Sequence, residues 1–358
     1  MFARKLDGII KHMVVLSLLG LLGVVCGVDA RCQSPGPTVS NQKELYGGIE
    51  IALRTVRLIA MRVPLSPGEE NIRILDSDQL IPSTAFPKDD KPTPEYIRDL
   101  AQTVQKVAEK LQRDFRIPPN HIYLLGLSDL TGQIRDDLAK EVREKTGKEI
   151  TFLDATSETE LSISGNIPRR YQKEGKVYDN RNISLLLEVG STSIRGGYQQ
   201  LKLSQRGKTE YDYATWEIPI AGQLKAKVAQ NAGLMTRKRF YLTGPIIWAM
   251  VTLLYPEDQR AYVPLTIEDI NNFHFRATND AEALFNPDLS KIRDANARTE
   301  ARKEREAVKA LYTTWSLVAG AEALKIVAAE LKLAEKELIF ARNGNMARLL
   351  SFVRLQVE

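Results

Sequence analysis

Cysteine and histidine are almost absent. The 358 residues include 2 Cys and only His12, His121 and His274 as histidines, which are scattered without a zinc spacing such as HExxH. His121 and His274 read as surface or satisfied core imidazoles. Charge of one sign is also lacking. With 50 Lys and Arg against 45 Asp and Glu, the formal charge of +5 is a weak bias toward anionic partners and gives no basis for a nucleic-acid interface. Repeats of solenoid length are missing.

Long hydrophobic runs are lacking too, apart from Met13 to Val28, which follows the basic residues Arg4, Lys5 and Lys11 and precedes Val28-Asp29-Ala30. This is the layout of a secretory signal with cleavage near Ala30. A retained membrane anchor is the competing reading, although sixteen residues span only about 24 Å as a helix, less than the roughly 30 Å hydrocarbon core. Cys26 and Cys32 flank the cleavage point, and neither follows the small residue that lipid attachment prefers. After cleavage one thiol remains, which excludes an intramolecular disulfide and a thiolate metal site.

A chain of this length exceeds what one core usually organises, so two domains of about 150 residues each are expected. Residues 1–30 form the signal or anchor and residues 31–43 a linker rich in Ser, Pro and Gly. The first domain is expected over residues 44–176 and the second over 177–358. Gly47 to Val63 reads as a pair of strands, although the i, i+4 spacings inside IALRTVRLIAM also suit a short helix; Ser77 to Pro94 reads as a loop, and Thr93-Pro94-Glu95 as a helix start. The pattern then predicts a strand at His121 to Leu127, a helix closed by Gly147, and a strand at Glu149 to Leu153. The second half restarts the plan, with a strand at Ile183 to Val189, a hairpin partner at Ser193 to Leu201, a strand at Thr215 to Ile220 and a helix from Gly222 to Asn231. Lys291 to Glu306 reads as a solvated, charge-laced helical face, and an apolar helical pattern runs from Ala307 to Leu333. Alternating strands and helices imply an α/β fold with helical crossovers, and two similar halves imply a cleft between them.

Each half opens with a strand carrying one carboxylate just before a turn: Glu50 in YGGIEIALRTVRLIA and Glu188 in ISLLLEVGSTSIRGGY. This arrangement resembles the exopolyphosphatase and guanosine pentaphosphatase (Ppx/GppA) family. Glu50 to Leu58 stands where that family has a first phosphate loop close to DIGSNSVRL, and Glu188 to Ile194 where it has DIGGGST. Ser157 to Gly165 (SETELSISG) partly matches the family's EEAxLxYxG. IYLLGLSDLT, YLTGPIIWAM and NGNMARLL are softer matches in the same order, so the resemblance covers roughly residues 44 to 356.

The resemblance implies a two-domain, actin-like α/β architecture and hydrolysis of terminal phosphoanhydrides of polyphosphate. Such chemistry needs a cation on the phosphate oxygens, donors around them and a carboxylate that activates water. On the family pattern Glu50 and Glu188 would hold Mg²⁺, and Glu158 would be the base. Arg57, Gly190, Ser191, Thr192, Ser193 and Gly244 would face phosphate. Departures from the pattern imply an eroded site: both loop aspartates are glutamates, two loop glycines are Ser191 and Thr192, an expected arginine is Thr131, and an expected glycine is Pro245, which removes an amide donor. The alternative is therefore a catalytically degenerate binding or scaffold protein of the cell envelope. The partners expected are polyphosphate or another phosphoanhydride, an envelope protein and a second copy in a homodimer, with the membrane touched only through the N-terminal segment.

Structural readings of the same residues stay open beside these. Glu50 and Glu188 could be exposed strand ends, and Glu158 a first-turn helix acid capped by Thr156 or Ser157. Arg57 could pair with a neighbouring acid, Gly190 and Gly244 could be turn glycines, and Arg237-Lys238-Arg239 reads as solvated surface.

Overall fold

The computed structural model describes residues 44–63, 73–84, 92–173, 176–190, 193–203, 209–219 and 232–357. The readings of the signal or anchor, the linker, both cysteines, the helix at Gly222 to Asn231, and Ser191 and Thr192 lie outside them. Among the described residues no helix is long and apolar enough to cross a membrane.

The first sheet grows from the hairpin of β1 (Glu44–Ile51) and β2 (Val56–Val63), antiparallel in the register Glu50 opposite Arg57. Strands β3 (Arg73–Leu80), β4 (Ile122–Gly126) and β5 (Ile150–Phe152) complete the order β3-β2-β1-β4-β5, with β4 and β5 parallel to β1. The expected loop from Ser77 begins four residues later than predicted, at Ile81, because β3 pairs with β2 as far as Leu80 opposite Val56. As an edge strand, RILDSDQL keeps polar side chains and carries a weak apolar pattern.

Two crossovers cover one face. Helix α1 (Pro94–Phe115) starts where expected, with Thr93 accepting from the Tyr96 amide at 3.2 Å. Helix α2 (Gly132–Thr146) ends at Gly147, whose φ of 69° suits glycine. The two-residue period of a strand then sorts the side chains. Ile49, Ile51, Val56 and Leu58 join the core under α1, whereas Tyr46, Ile59 and Met61 face the opposite side. Glu50 and Arg57 alternate onto that opposite side as well.

Helix α3 (Ala155–Asn166) leads to the small ribbon of β6 (Arg170–Lys173) and β7 (Lys176–Asp179). The second sheet follows: β8 (Ser184–Val189), β9 (Ser193–Leu203) and β10 (Thr209–Pro219) form a meander. The short α4 (Ala232–Thr236) precedes β11 (Arg239–Thr243), and α5 (Pro245–Leu254) leads to β12 (Tyr262–Leu265). Helices α6 (Ile267–Asn279), α7 (Ala281–Phe285), α8 (Ala295–Leu311) and α9 (Thr314–Glu330) come before β13 (Glu337–Ala341) and α10 (Gly344–Val357). From Ala295 onward the charged run is helical in α8, which buries Ala301 and Val308.

The second sheet has the order β10-β9-β8-β11-β13-β12. In both sheets a three-strand meander is extended by two parallel strands from its first strand, and the second adds the antiparallel edge β12. The duplicated plan is thus a duplicated topology. The C-terminal helix does not stay with the second sheet: Met346, Leu349, Phe352 and Val353 of α10 pack on Tyr46, Ile59 and Met61 of the first.

Candidate functional site

Glu50, at the end of β1, is 1% exposed, which excludes the surface strand-end reading. Its face of the sheet is covered by α10: a Cβ on Gly48 would meet Leu349 at 2.8 Å. Glu158 sits in the first turn of α3, where a carboxylate is favoured by the helix N-terminus, and is also buried. The cap is Asp154, which accepts from the Ser157 amide at 2.7 Å, in place of Thr156 or Ser157.

A side chain that the sequence reading passed over joins the two carboxylates. Arg348, on α10 and itself buried, donates from Nε to Glu50 Oε2 at 2.9 Å, from Nη2 to Glu50 Oε1 at 3.3 Å, and from Nη1 to Glu158 Oε1 at 2.8 Å. Its backbone is placed by two close helix approaches. A Cβ on Gly165 of α3 would lie 2.1 Å from the Ala347 carbonyl oxygen, and one on Gly344 would lie 2.1 Å from Thr243 Oγ1. Asn166 also donates to the Gly344 carbonyl, at 3.2 Å.

Two further arginines complete the cluster. Arg57 donates to Glu50 Oε1 at 2.6 Å, as the structural reading anticipated. Arg195 donates to Glu158 Oε1 at 3.2 Å and to Glu217 Oε1 at 3.1 Å. Ser128, after β4, donates to Glu158 Oε2 from its amide at 3.1 Å and its hydroxyl at 2.6 Å. Glu158 therefore accepts four hydrogen bonds and Glu50 three, close to the capacity of a carboxylate.

The electrostatics follow from this geometry. Burial opposes the ionised form of Glu50, but Arg348 and Arg57 outweigh it and hold its pKa below the usual carboxylate range. Burial likewise opposes a charged Arg348, and Glu50 and Glu158 reverse that effect and raise its pKa. Arg195 is also raised, since Glu217, Glu158 and Glu188 outweigh its desolvation.

Glu188 stands opposite Arg195 in the β8–β9 register, just as Glu50 stands opposite Arg57. Both pairs are seven residues apart in sequence. The second pair is not closed: Arg195 turns to Glu158 and Glu217, and among the described residues Glu188 makes no ion pair.

Among the described residues of the two turns, several backbone donors are engaged by the protein itself. In the β1–β2 turn the Leu53 amide donates to Asp129 Oδ2 at 2.9 Å and the Ala52 amide to the Thr55 carbonyl at 2.9 Å. In the second turn the Gly190 amide donates to the Ser193 carbonyl at 3.0 Å, and Ser193 Oγ donates to Glu217 Oε1 at 2.8 Å. Gly244 adopts φ 108°, and a Cβ there would meet the Val189 carbonyl oxygen at 2.4 Å, so this glycine admits close passage past β8.

These residues do not fit a resident divalent cation. Glu50 already pairs with two guanidinium groups, and Arg348 lies between it and Glu158. Among the described residues no cluster of three or more His, Cys, Asp or Glu side chains is arranged to hold a metal ion. A surface depression of about 250 Å³ lies elsewhere, lined by Tyr123, Lys148 and Phe352 among others.

Comparison with solved structures places the architecture. An exopolyphosphatase from Cytophaga hutchinsonii superimposes with a TM-score of 0.52 at 12% identity, covering 87% of this chain and 98% of that one. A Ppx/GppA family member from Aquifex aeolicus gives 0.52 at 14% identity, covering 88% and 99%. The chain has the Ppx/GppA fold. An exopolyphosphatase-like protein is similar to the same degree, with a TM-score of 0.52 at 12% identity over 88% of this chain and 99% of that one. No protein-family model and no curated protein sequence matches the chain. The expected actin-like α/β architecture is borne out, and the resemblance seen in the sequence holds at the level of fold.

Proposed function

We propose that the protein binds polyphosphate or a similar phosphoanhydride chain at the partly exposed edge of this cluster, through Arg57 and Arg195, without metal-assisted hydrolysis. The observation that carries this reading is the filling of Glu158, the expected base, by four hydrogen bonds from Arg348, Arg195 and Ser128, with Glu50 held by Arg348 and Arg57. A carboxylate whose acceptor sites are all filled has no lone pair for an attacking water, and general-base catalysis needs that contact. Support for an anionic ligand comes from the shared fold with exopolyphosphatases and from partly exposed Arg57 and Arg195 at the cluster's edge.

The N-terminal pattern adds a proposal about place: export by residues 1–30, which would bring the domain to polyphosphate outside the cytoplasm.

The test is calorimetric titration of residues 33–358 with long-chain polyphosphate at low and moderate salt. Binding is expected, weakened at least tenfold by Arg195→Gln and by added salt. Absence of binding at low salt would overturn the reading.

A further inference from the structure

We propose that Gln79 and Glu217 are positioning residues for the anion-binding edge, each fixing the plane of one arginine so that its remaining amino group is presented to an anionic ligand. This rests on the anion-binding reading above and deepens it, because it names what orients the two donors.

The strand registers place these residues in two matching rows. Arg57, on the middle strand of the first meander, stands between Glu50 of β1 and Gln79 of β3. Arg195, on the middle strand of the second, stands between Glu188 of β8 and Glu217 of β10. Residues directly opposite one another on neighbouring strands share a face of the sheet, so each row sets three polar side chains side by side.

The hydrogen bonds repeat as well. Arg57 donates from Nε to Gln79 Oε1 at 3.0 Å and from Nη1 to Glu50 Oε1 at 2.6 Å. Arg195 donates from Nε to Glu217 Oε1 at 3.1 Å and from Nη1 to Glu158 Oε1 at 3.2 Å. A guanidinium is a rigid plane, so contacts on two of its nitrogens settle its orientation. Among the described residues Nη2 of neither arginine has a hydrogen-bond partner, and both side chains are partly exposed. A long side chain ordered before the ligand arrives spares binding that entropic cost.

The two braces differ in charge. Gln79 is neutral. Glu217 also accepts from Ser193 Oγ at 2.8 Å; partial burial opposes its ionisation, and the hydrogen bonds from Ser193 and Arg195 outweigh it and lower its pKa. Glu217 therefore orients Arg195 while its charge opposes an approaching anion. Glutamine in its place keeps an acceptor with two lone pairs and removes the repulsion.

The experiment is calorimetric titration of the full chain with long-chain polyphosphate at low salt, for the wild type, Glu217→Gln, Glu217→Ala and Gln79→Ala. It is joined by nuclear magnetic resonance of arginine Nε–Hε exchange with water in the ligand-free proteins. Glu217→Gln is expected to bind about threefold more tightly than the wild type, and Glu217→Ala, which loses the same charge, about threefold more weakly than Glu217→Gln. Gln79→Ala, which loses no charge, is expected to bind about threefold more weakly than the wild type. The Arg195 Nε–Hε signal, assigned by its absence from Arg195→Gln, should exchange slowly in the wild type and Glu217→Gln and much faster in Glu217→Ala. Glu217→Ala binding as tightly as Glu217→Gln would show that the carboxylate acts by charge alone and would overturn the proposal. So would Gln79→Ala binding like the wild type, or Nε–Hε exchange that ignores Glu217→Ala. Absence of polyphosphate binding in every protein would instead overturn the anion-binding reading, and the presenting role with it.

Discussion

Arg348 and Glu50 are 298 residues apart in sequence and 2.9 Å apart in space, Nε donating to Oε2. This contact ties the last helix to the first strand, and Arg348 Nη1 carries the connection on to Glu158 at 2.8 Å. The two carboxylates that the family resemblance would assign to metal and base are thereby engaged by the protein itself.

Removing Arg348 leaves Glu50 and Glu158 with fewer partners in a buried place. Loss of one partner from a buried ion pair costs about 3–5 kcal/mol. Arg348→Ala is expected to lower unfolding stability by that amount in urea, and Arg348→Lys by less, since lysine keeps the charge but loses the forked geometry. An Arg348→Ala variant as stable as the wild type would show that the cluster contributes little to folding.

Gly165 sets the distance between α3 and α10. A methyl group there would lie 2.1 Å from the Ala347 carbonyl oxygen, so one helix must shift. Gly165→Ala is expected to destabilise by about 1–3 kcal/mol, against the gain of a few tenths to 1 kcal/mol that the same change gives at an open helical position. Circular dichroism melts of the variant and wild type check this.

Stability should fall in acid. Glu50 has a folded pKa depressed from its ordinary value of 4.5 by Arg348 and Arg57. A depressed carboxylate contributes stability that is present above its unfolded pKa and lost as pH falls through the folded one. The urea midpoint of the wild type is expected to drop steadily below about pH 4.5. Glu50→Gln should be less stable at neutral pH and show a shallower acid dependence. Equal acid sensitivity in the two proteins would locate the effect elsewhere.

Much of this was legible in the sequence. Alternation around Glu50 and Glu188 gave the two hairpins, and the cap at Thr93 and the stop at Gly147 marked the first helices. Strand β3 was missed because its edge position allows RILDSDQL to stay polar. Arg348 was missed because its partners lie on β1 and α3, and helical periodicity reports only which face a residue occupies. A signal was nonetheless there: in MARLLSFV a single arginine interrupts an apolar helical run, and a cation in such a place needs a buried acid. Glu188 looked equivalent to Glu50 by spacing, but Arg195 is drawn to Glu217 and Glu158 from the neighbouring strand and helix, which spacing along one hairpin does not reveal.

The most direct test of the account is phosphate release from long-chain polyphosphate across a range of Mg²⁺ concentrations, in parallel for the wild type and Glu158→Gln. The account predicts that the wild type binds the chain and releases no phosphate above the Glu158→Gln background at any Mg²⁺ concentration. Mg²⁺-dependent release that Glu158→Gln abolishes would contradict it, because Glu158 would then have to leave Arg348 and face water.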